Sequence, residues 1–134
     1  MLDVELCMQI AKEAHKGQIR RGGDNYFDHP KRVADMLNSP TLKCMALLHD
    51  VLEDTDETEK SLRAKGVSDY VVQGVSLLTK RDNQSYDEYI ESITLYPQLV
   101  RVKIADMFDN LCCDPSQKQK QKYREAMIKL YEHC

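Results

Sequence analysis

Within Ala46-Leu47-Leu48-His49-Asp50-Val51-Leu52-Glu53-Asp54-Thr55 an apolar run is broken by an adjacent imidazole and carboxylate, and a pair of acidic residues follows within about one helical turn. A charge left unpaired in an apolar interior costs several kcal/mol, so such a cluster must face a metal, a partner or water. Elsewhere in the chain stand two more candidate donors: His29, beside Pro30, and Asp106, inside Val102-Lys103-Ile104-Ala105-Asp106. Together His29, His49, Asp50 and Asp106 offer imidazole nitrogens and carboxylate oxygens that suit one divalent transition metal. Such mixed ligation favours Mn²⁺, Fe²⁺, Co²⁺ or Zn²⁺ and leaves positions for water and a substrate oxygen. The absence of thiolates from the set argues against a purely structural zinc.

The elements that must position these residues read as helices. Leu2, Leu6, Ile10 and Ala14 recur every four residues and predict an amphipathic helix ending near Gly17. From Gly17 to Asp28 turn residues without a period predict a loop, so His29 falls at a loop-to-helix junction, with Pro30 suited to the first helical position. Ser39-Pro40 reads as an N-cap followed by proline, opening a central helix with Leu42, Met45, Ala46, Leu48 and Leu52 on its apolar face. An acidic stretch from Glu53 to Glu59 leads into a short helix stopped by Gly66, and Ser68 opens the next. Ser85-Tyr86-Asp87-Glu88 is a capping box whose helix stops at Pro97. Val100, Ile104, Phe108 and Leu111 predict a further helix, which places Asp106 and Asn110 on one face, and a last helix follows Pro115-Ser116. No segment alternates like a strand. The expected fold class is all-α: about seven or eight helices in an irregular multi-helix domain rather than a regular four-helix bundle.

The 134 residues suffice for one domain with a core, and one domain spanning 1–134 is expected. A formal charge of -3, with 31% charged and 7% aromatic residues, gives no bulk basic surface or stacking groove for nucleic acid. No apolar run approaches the roughly eighteen residues of a membrane span, and the N-terminus lacks a signal-peptide pattern, so a cytoplasmic protein without membrane contact is expected. The five cysteines, Cys7, Cys44, Cys112, Cys113 and Cys134, are odd in number and lack C-x-x-C spacing, which suits small core residues or exposed thiols rather than a disulfide framework.

The motifs also come in a telling order. Gln18-x-Arg20-Arg21, Tyr26-x-x-His29-Pro30, His49-Asp50-x-x-Glu53-Asp54-Thr55 and Lys103-x-Ala105-Asp106-x-x-x-Asn110 closely resemble the HD-superfamily phosphohydrolases, and within them the hydrolase domain of RelA/SpoT proteins and the stand-alone small alarmone hydrolases. The resemblance runs from about Ala11 to Asn110. It implies an HD-domain fold, manganese as the usual metal, and His29, His49, Asp50 and Asp106 as its ligands. It further implies that Glu53 and Asp54 handle the attacking water and proton delivery, that Arg20 and Arg21 contact phosphate, and that Asn110 contacts the nucleotide or orients a ligand. The implied activity is hydrolysis of guanosine 3′,5′-bis(diphosphate) or the pentaphosphate at the 3′ position, releasing pyrophosphate, with a small phosphorylated nucleotide as partner.

Taken without the family, Glu53 and Asp54 also fit a solvated helix end, the arginines a pair of loop charges, and Asn110 a helix cap. The alternatives in function are an HD phosphohydrolase of another nucleotide and a metal-retaining nucleotide sensor without turnover. Lys80 and Arg81, similar to the family's Leu-Thr-Lys segment, are left outside the site. Met107 departs from the family's arginine and Cys113 from its hydroxyl residue, and neither removes a ligand. A synthetase domain is not expected to fit in the remaining residues.

Overall fold

The computed structural model describes residues 4–20, 23–112 and 116–133. Its helical segments are α1 (Val4–Ala14), α2 (Asp28–Asp35), α3 (Pro40–Leu48), α4 (Val51–Asp54), α5 (Glu59–Ala64), α6 (Asp69–Leu77), α7 (Tyr86–Thr94), α8 (Pro97–Leu111) and α9 (Gln117–Tyr131). Among the described residues the only extended pairing is an isolated antiparallel bridge between Ile19 and Asn25. The expected Arg21 and Cys113 positions lie outside the described residues, as do Met1 to Asp3, Asp114, Pro115 and Cys134.

Local chemistry sets the helix ends. Ser39, Ser68, Ser85 and Ser116 each accept a backbone N–H in the first turn of α3, α6, α7 and α9, satisfying donors that have no partner within the helix. The Ser85–Glu88 and Ser116–Gln119 capping boxes are reciprocal. Past the end of α1, Gly17 turns the chain at φ +84°, a conformation that a side chain would resist. Helix α2 begins two residues earlier than Pro30 suggests: Asp28 is its first residue and Pro30 its third. A proline is tolerated there because no amide in the first turn has an intrahelical acceptor.

Helix α3 is the axis of the fold. Leu42 and every residue from Cys44 to Leu48 are buried, and α1, α2, α6 and α8 pack around it. Helix α6 approaches so closely that a Cβ on Gly74 would stand 2.6 Å from the Met45 side chain. Cys7 and Cys44 are buried and Cys112 is exposed.

Two expectations are corrected. The central helix does not run through to Leu52; it ends at Leu48 and resumes as α4 at Val51. His49 and Asp50 form the break, with Asp50 at φ -105° and ψ -1°, and the His49 ring takes the Ala46 carbonyl that a regular helix would offer to its backbone ladder. Counted as one interrupted helix, α3 and α4 bring the total among the described residues within the expected range. The second correction concerns α8: its buried side carries Leu99, Val100, Val102, Ala105 and Met107, whereas Phe108 is 55% exposed. The same buried side includes Asp106 and Asp109.

Candidate metal centre and active site

Three elements converge on one point: the second residue of α2, the break between α3 and α4, and the middle of α8. His29, His49, Asp50 and Asp106 each bring a ligand atom there, and these atoms lie within 4.8 Å of one another. The Oδ1 of Asp106 stands 2.8 Å from His29 Nε2 and 3.1 Å from His49 Nε2, and the Oδ2 of Asp50 stands 3.0 Å from His49 Nε2. Both imidazoles and Asp106 are nearly inaccessible to solvent.

The outer ring nitrogens decide how these groups are used. His49 Nδ1 contacts the Ala46 carbonyl, which can only accept, so Nδ1 carries a proton. His29 Nδ1 lies 2.7 Å from Asp109 Oδ2. Burial pushes Asp109 up, but hydrogen bonds from Arg32 and His29 outweigh it and hold the carboxyl below its ordinary range, so it too accepts. Each ring is thereby fixed in the tautomer whose Nε2 faces the carboxylates, as in metal-bound histidines backed by a carboxylate or carbonyl. Asp106 is likewise ionised: burial opposes its charge, yet Lys103, 2.8 Å from Oδ2, and His49 pull its pKa well below the usual value. Asp50 is also lowered, chiefly by His49 against the cost of burial. Two inward-facing imidazole nitrogens and two carboxylates packed this closely fit a divalent cation.

Around this core the remaining candidates take different positions. Asp54 lies on α4 and is linked to the centre by Tyr26, whose hydroxyl is 2.8 Å from Asp50 Oδ2 and 2.9 Å from Asp54 Oδ2. Glu53 is exposed beside it. Burial, then repulsion from Asp54 and Asp50, raises the Glu53 pKa, and burial with Asp50 raises that of Asp54. Arg20 is mostly buried and turned inward, donating to Asn110 Oδ1 at 2.7 Å and to Asp109 Oδ2 at 3.3 Å. Asn110 is 3.4 Å from Asp106 Oδ1 and 3.4 Å from the Tyr123 hydroxyl, so its amide joins α8 to α9.

Sequence reasoning assigned no role to Asp109, Lys103, Tyr26 or Arg32. Asp109 and Lys103 stand three residues to either side of Asp106, a spacing that puts all three on one helical face. Tyr26 was visible within Tyr26-x-x-His29 but its partner Asp54 was not. Arg32 reaches Asp109 from α2 at 2.8 Å, a tertiary contact that no local pattern announces.

The chain is 34% identical, over a 139-residue alignment, to a guanosine-3′,5′-bis(diphosphate) 3′-pyrophosphohydrolase of Haemophilus influenzae, with 93% of this chain and 20% of the relative covered. It is 33% identical over 117 residues to the bifunctional (p)ppGpp synthase/hydrolase SpoT of Escherichia coli K12, covering 76% of this chain and 16% of the relative. A probable GTP pyrophosphokinase of Mycobacterium leprae is 30% identical over 139 residues, covering 92% and 18%. The chain thus spans about a fifth of the length of these relatives. A solved structure described as a metazoan ortholog of SpoT that hydrolyses ppGpp superposes with a TM-score of 0.78 at 23% identity, over 97% of this chain and 84% of that one. The chain is an HD-type, RelA/SpoT hydrolase-like domain. No family model matches it. The all-α architecture of this hydrolase-like domain is that of the metazoan protein, and among its described residues no helix is long and apolar enough to cross a membrane.

Proposed function

We propose that this hydrolase-like domain is a metal-dependent guanosine-3′,5′-bis(diphosphate) 3′-pyrophosphohydrolase. Within this reading His29, His49, Asp50 and Asp106 hold one divalent cation, Mn²⁺ being the preferred ion, and residues 1–134 act as one cytoplasmic domain on a small nucleotide, not on nucleic acid or membrane. The observation that carries it is the packing of two tautomer-locked imidazoles and two ionised carboxylates around one point. The relatives' names divide between synthesis and hydrolysis of the nucleotide, and the donor set favours hydrolysis. When bound, the cation lowers the pKa of water and offsets charge on phosphoryl oxygens.

The chain's own groups supply the rest. Glu53, whose raised pKa brings it nearer the working pH of a base, takes the proton from the attacking water. The water oxygen forms a bond to the phosphorus attached to the ribose 3′-oxygen. That P–O bond breaks, pyrophosphate leaves, and the 3′-oxygen collects a proton. Asp54 is suited to deliver it, since burial and Asp50 favour its protonated form. Arg20, Arg21 and Asn110 hold the phosphates and the nucleotide, with Lys103 adding positive charge beside Asp106.

Purified protein incubated with Mn²⁺ and guanosine 3′,5′-bis(diphosphate), with products resolved by chromatography, tests this directly. GDP and pyrophosphate are expected, and a Glu53→Gln variant should bind Mn²⁺ normally yet lose roughly 10²- to 10⁴-fold in kcat. Orthophosphate as the product, or no turnover by a metal-loaded protein, would refute it in favour of another phosphoester or a sensor.

A further inference from the structure

Two side chains of the connection between α1 and α2 reach the acidic end of α4, and the mechanism above uses neither. His15, directly after α1, is buried, and Gln18 follows the turn at Gly17. Gln18 Nε2 donates to the Asp54 backbone carbonyl at 2.9 Å, and Gln18 Oε1 lies 3.0 Å from His15 Nδ1. A carbonyl only accepts, so the amide nitrogen of Gln18 faces Asp54 and its oxygen faces His15, which makes Nδ1 the hydrogen-bearing nitrogen of that ring. Nε2 of His15 is buried with no hydrogen-bond partner among the described residues, so the ring's polar contribution goes wholly to Gln18. The His15 ring stacks on Tyr26 at 4.6 Å, the Tyr26 backbone N–H donates to the Gln18 carbonyl at 2.9 Å, and the Tyr26 hydroxyl returns to the Asp54 carboxylate. His15, Gln18, Tyr26 and Asp54 thus close a ring of contacts.

Helix α4 needs such support. It has four residues, and Thr55 beyond it is already extended. A single turn does not hold itself in water, and the carbonyls at its end have no donor within the helix. Asp54 is the last residue of that turn and is exposed. Its direction is fixed from two sides of its Cα: Tyr26 holds the carboxylate and Gln18 holds the peptide. With the tyrosine contact alone, the Asp54 peptide can rotate and carry the carboxyl with it.

We propose that Gln18, oriented by His15, is a positioning residue for the hydrolysis: it holds the Asp54 peptide so that the carboxyl is aimed at the departing 3′-oxygen. This rests on the function proposed above and adds the α1–α2 connection to the parts of the chain that serve the reaction. The contact is made to a backbone carbonyl, so it is the same before and after Asp54 gives up its proton. Gln18 hydrogen-bonds none of the four candidate ligands among the described residues, so its loss should leave the metal in place and act on kcat. Small misplacements suffice, since about 1 Å at a reacting group can cost about 10²-fold in rate.

Two measurements test it. The first is turnover of guanosine 3′,5′-bis(diphosphate) with Mn²⁺ by Gln18→Met and Gln18→Glu. Both lose the donor to Asp54, while the glutamate still accepts from His15, so a shared defect cannot come from an orphaned imidazole. Each should lower kcat roughly tenfold, with KM and calorimetric Mn²⁺ affinity within about twofold of the wild type. In an Asp54→Asn background, followed in single turnovers so that slow variants are resolved, Gln18→Met should cost less than about twofold more. The second measurement is amide exchange by NMR on the metal-free protein: the Asp54 and Thr55 amides, bonded to Asp50 and Val51, should exchange about two- to tenfold faster in Gln18→Met, with those of α8 unchanged. A rise in KM at constant kcat, a wild-type rate in Gln18→Glu, an equal loss in both Asp54 backgrounds, or unaltered exchange at α4 overturns the positioning role. Absence of turnover by the wild type overturns the function proposed above and the positioning role that rests on it, while the exchange measurement still judges the tether itself.

Discussion

Asp109 is the residue whose replacement best tests the architecture of the centre. Its carboxylate accepts from His29 Nδ1 at 2.7 Å, Arg32 Nε at 2.8 Å, Arg32 Nη2 at 3.1 Å and Arg20 Nη1 at 3.3 Å. Asp109→Asn keeps the shape and can keep the His29 contact through its carbonyl, but its NH₂ then meets the Arg32 donor and the negative charge is gone. Arg32 is 41% exposed and can turn to water, so its share is about 1 kcal/mol or less. The larger effect falls on His29, because loss of a carboxylate behind a ligating imidazole typically weakens metal binding about 10- to 100-fold, or about 1.4–2.8 kcal/mol.

The stability effect has a defined pH dependence. The folded-state pKa of Asp109 is depressed, so its stabilising contribution is complete above the unfolded value of about 3.9 and is lost as pH falls through the folded value. Urea unfolding of the metal-free proteins should therefore show the variant less stable by about 1–3 kcal/mol near neutrality, with the gap closing in acid. Calorimetric titration with Mn²⁺ reads the affinity. An affinity unchanged by the substitution, or a stability gap that persists at the most acidic pH where both proteins fold, would show that Asp109 neither polarises His29 nor gains from its donors. Arg32→Gln serves as the comparison, expected to leave metal affinity nearly intact.

Other outcomes follow from the same geometry. Burial works against a charged His49, but Asp50 and Asp106 outweigh it and raise its pKa well above the ordinary value; Mn²⁺ binding must displace that proton, so affinity should rise with pH and protons be released, as calorimetry in buffers of different ionisation enthalpy would register. Saturating Mn²⁺ at about a hundred times its Kd should stabilise the fold by about 2.7 kcal/mol, and His49→Ala should abolish the shift in thermal unfolding. Tyr26→Phe removes the bridge between Asp50 and Asp54 but keeps the ring stacked on His15 at 4.6 Å, so kcat should fall about two- to tenfold with the melting temperature little changed. Gly74→Ala would gain about 1 kcal/mol in helix propensity but forces Met45, 2% exposed, out of its place at a cost of about 1–3 kcal/mol. A lower thermal midpoint is expected, and a higher one would mean that Met45 repacks freely.

What the sequence made legible depended on the range of the cause. Serine caps, capping boxes and the helix stop at Gly17 are local, and each stands where its residues announce it. The convergence of His29, His49, Asp50 and Asp106 was legible because imidazole and carboxylate side chains at ordered intervals are scarce and chemically coherent, and the structure brings all four side chains together as a candidate metal site. The break at His49 was hidden, since the run from Leu42 to Leu52 reads as unbroken helix until the ring's bond to Ala46 is known. The face of α8 was misread for a related reason: apolar spacing marks Phe108 for the interior, but burial of Asp106 and Asp109 turns it outward. Their burial is stabilised by His29, Lys103 and Arg32, which belong to the tertiary structure or to a role that spacing alone does not assign.

Helix α8 grips one imidazole from both sides. Asp106 meets the inner nitrogen of His29 and Asp109, three residues further along, meets the outer one. Ring and helix consequently behave as a single lever: sliding or rolling α8 cannot withdraw one carboxylate without tilting the ring that the other holds. Displacement of this helix would be felt at α2 at once, so the centre either keeps its alignment or comes apart as a unit.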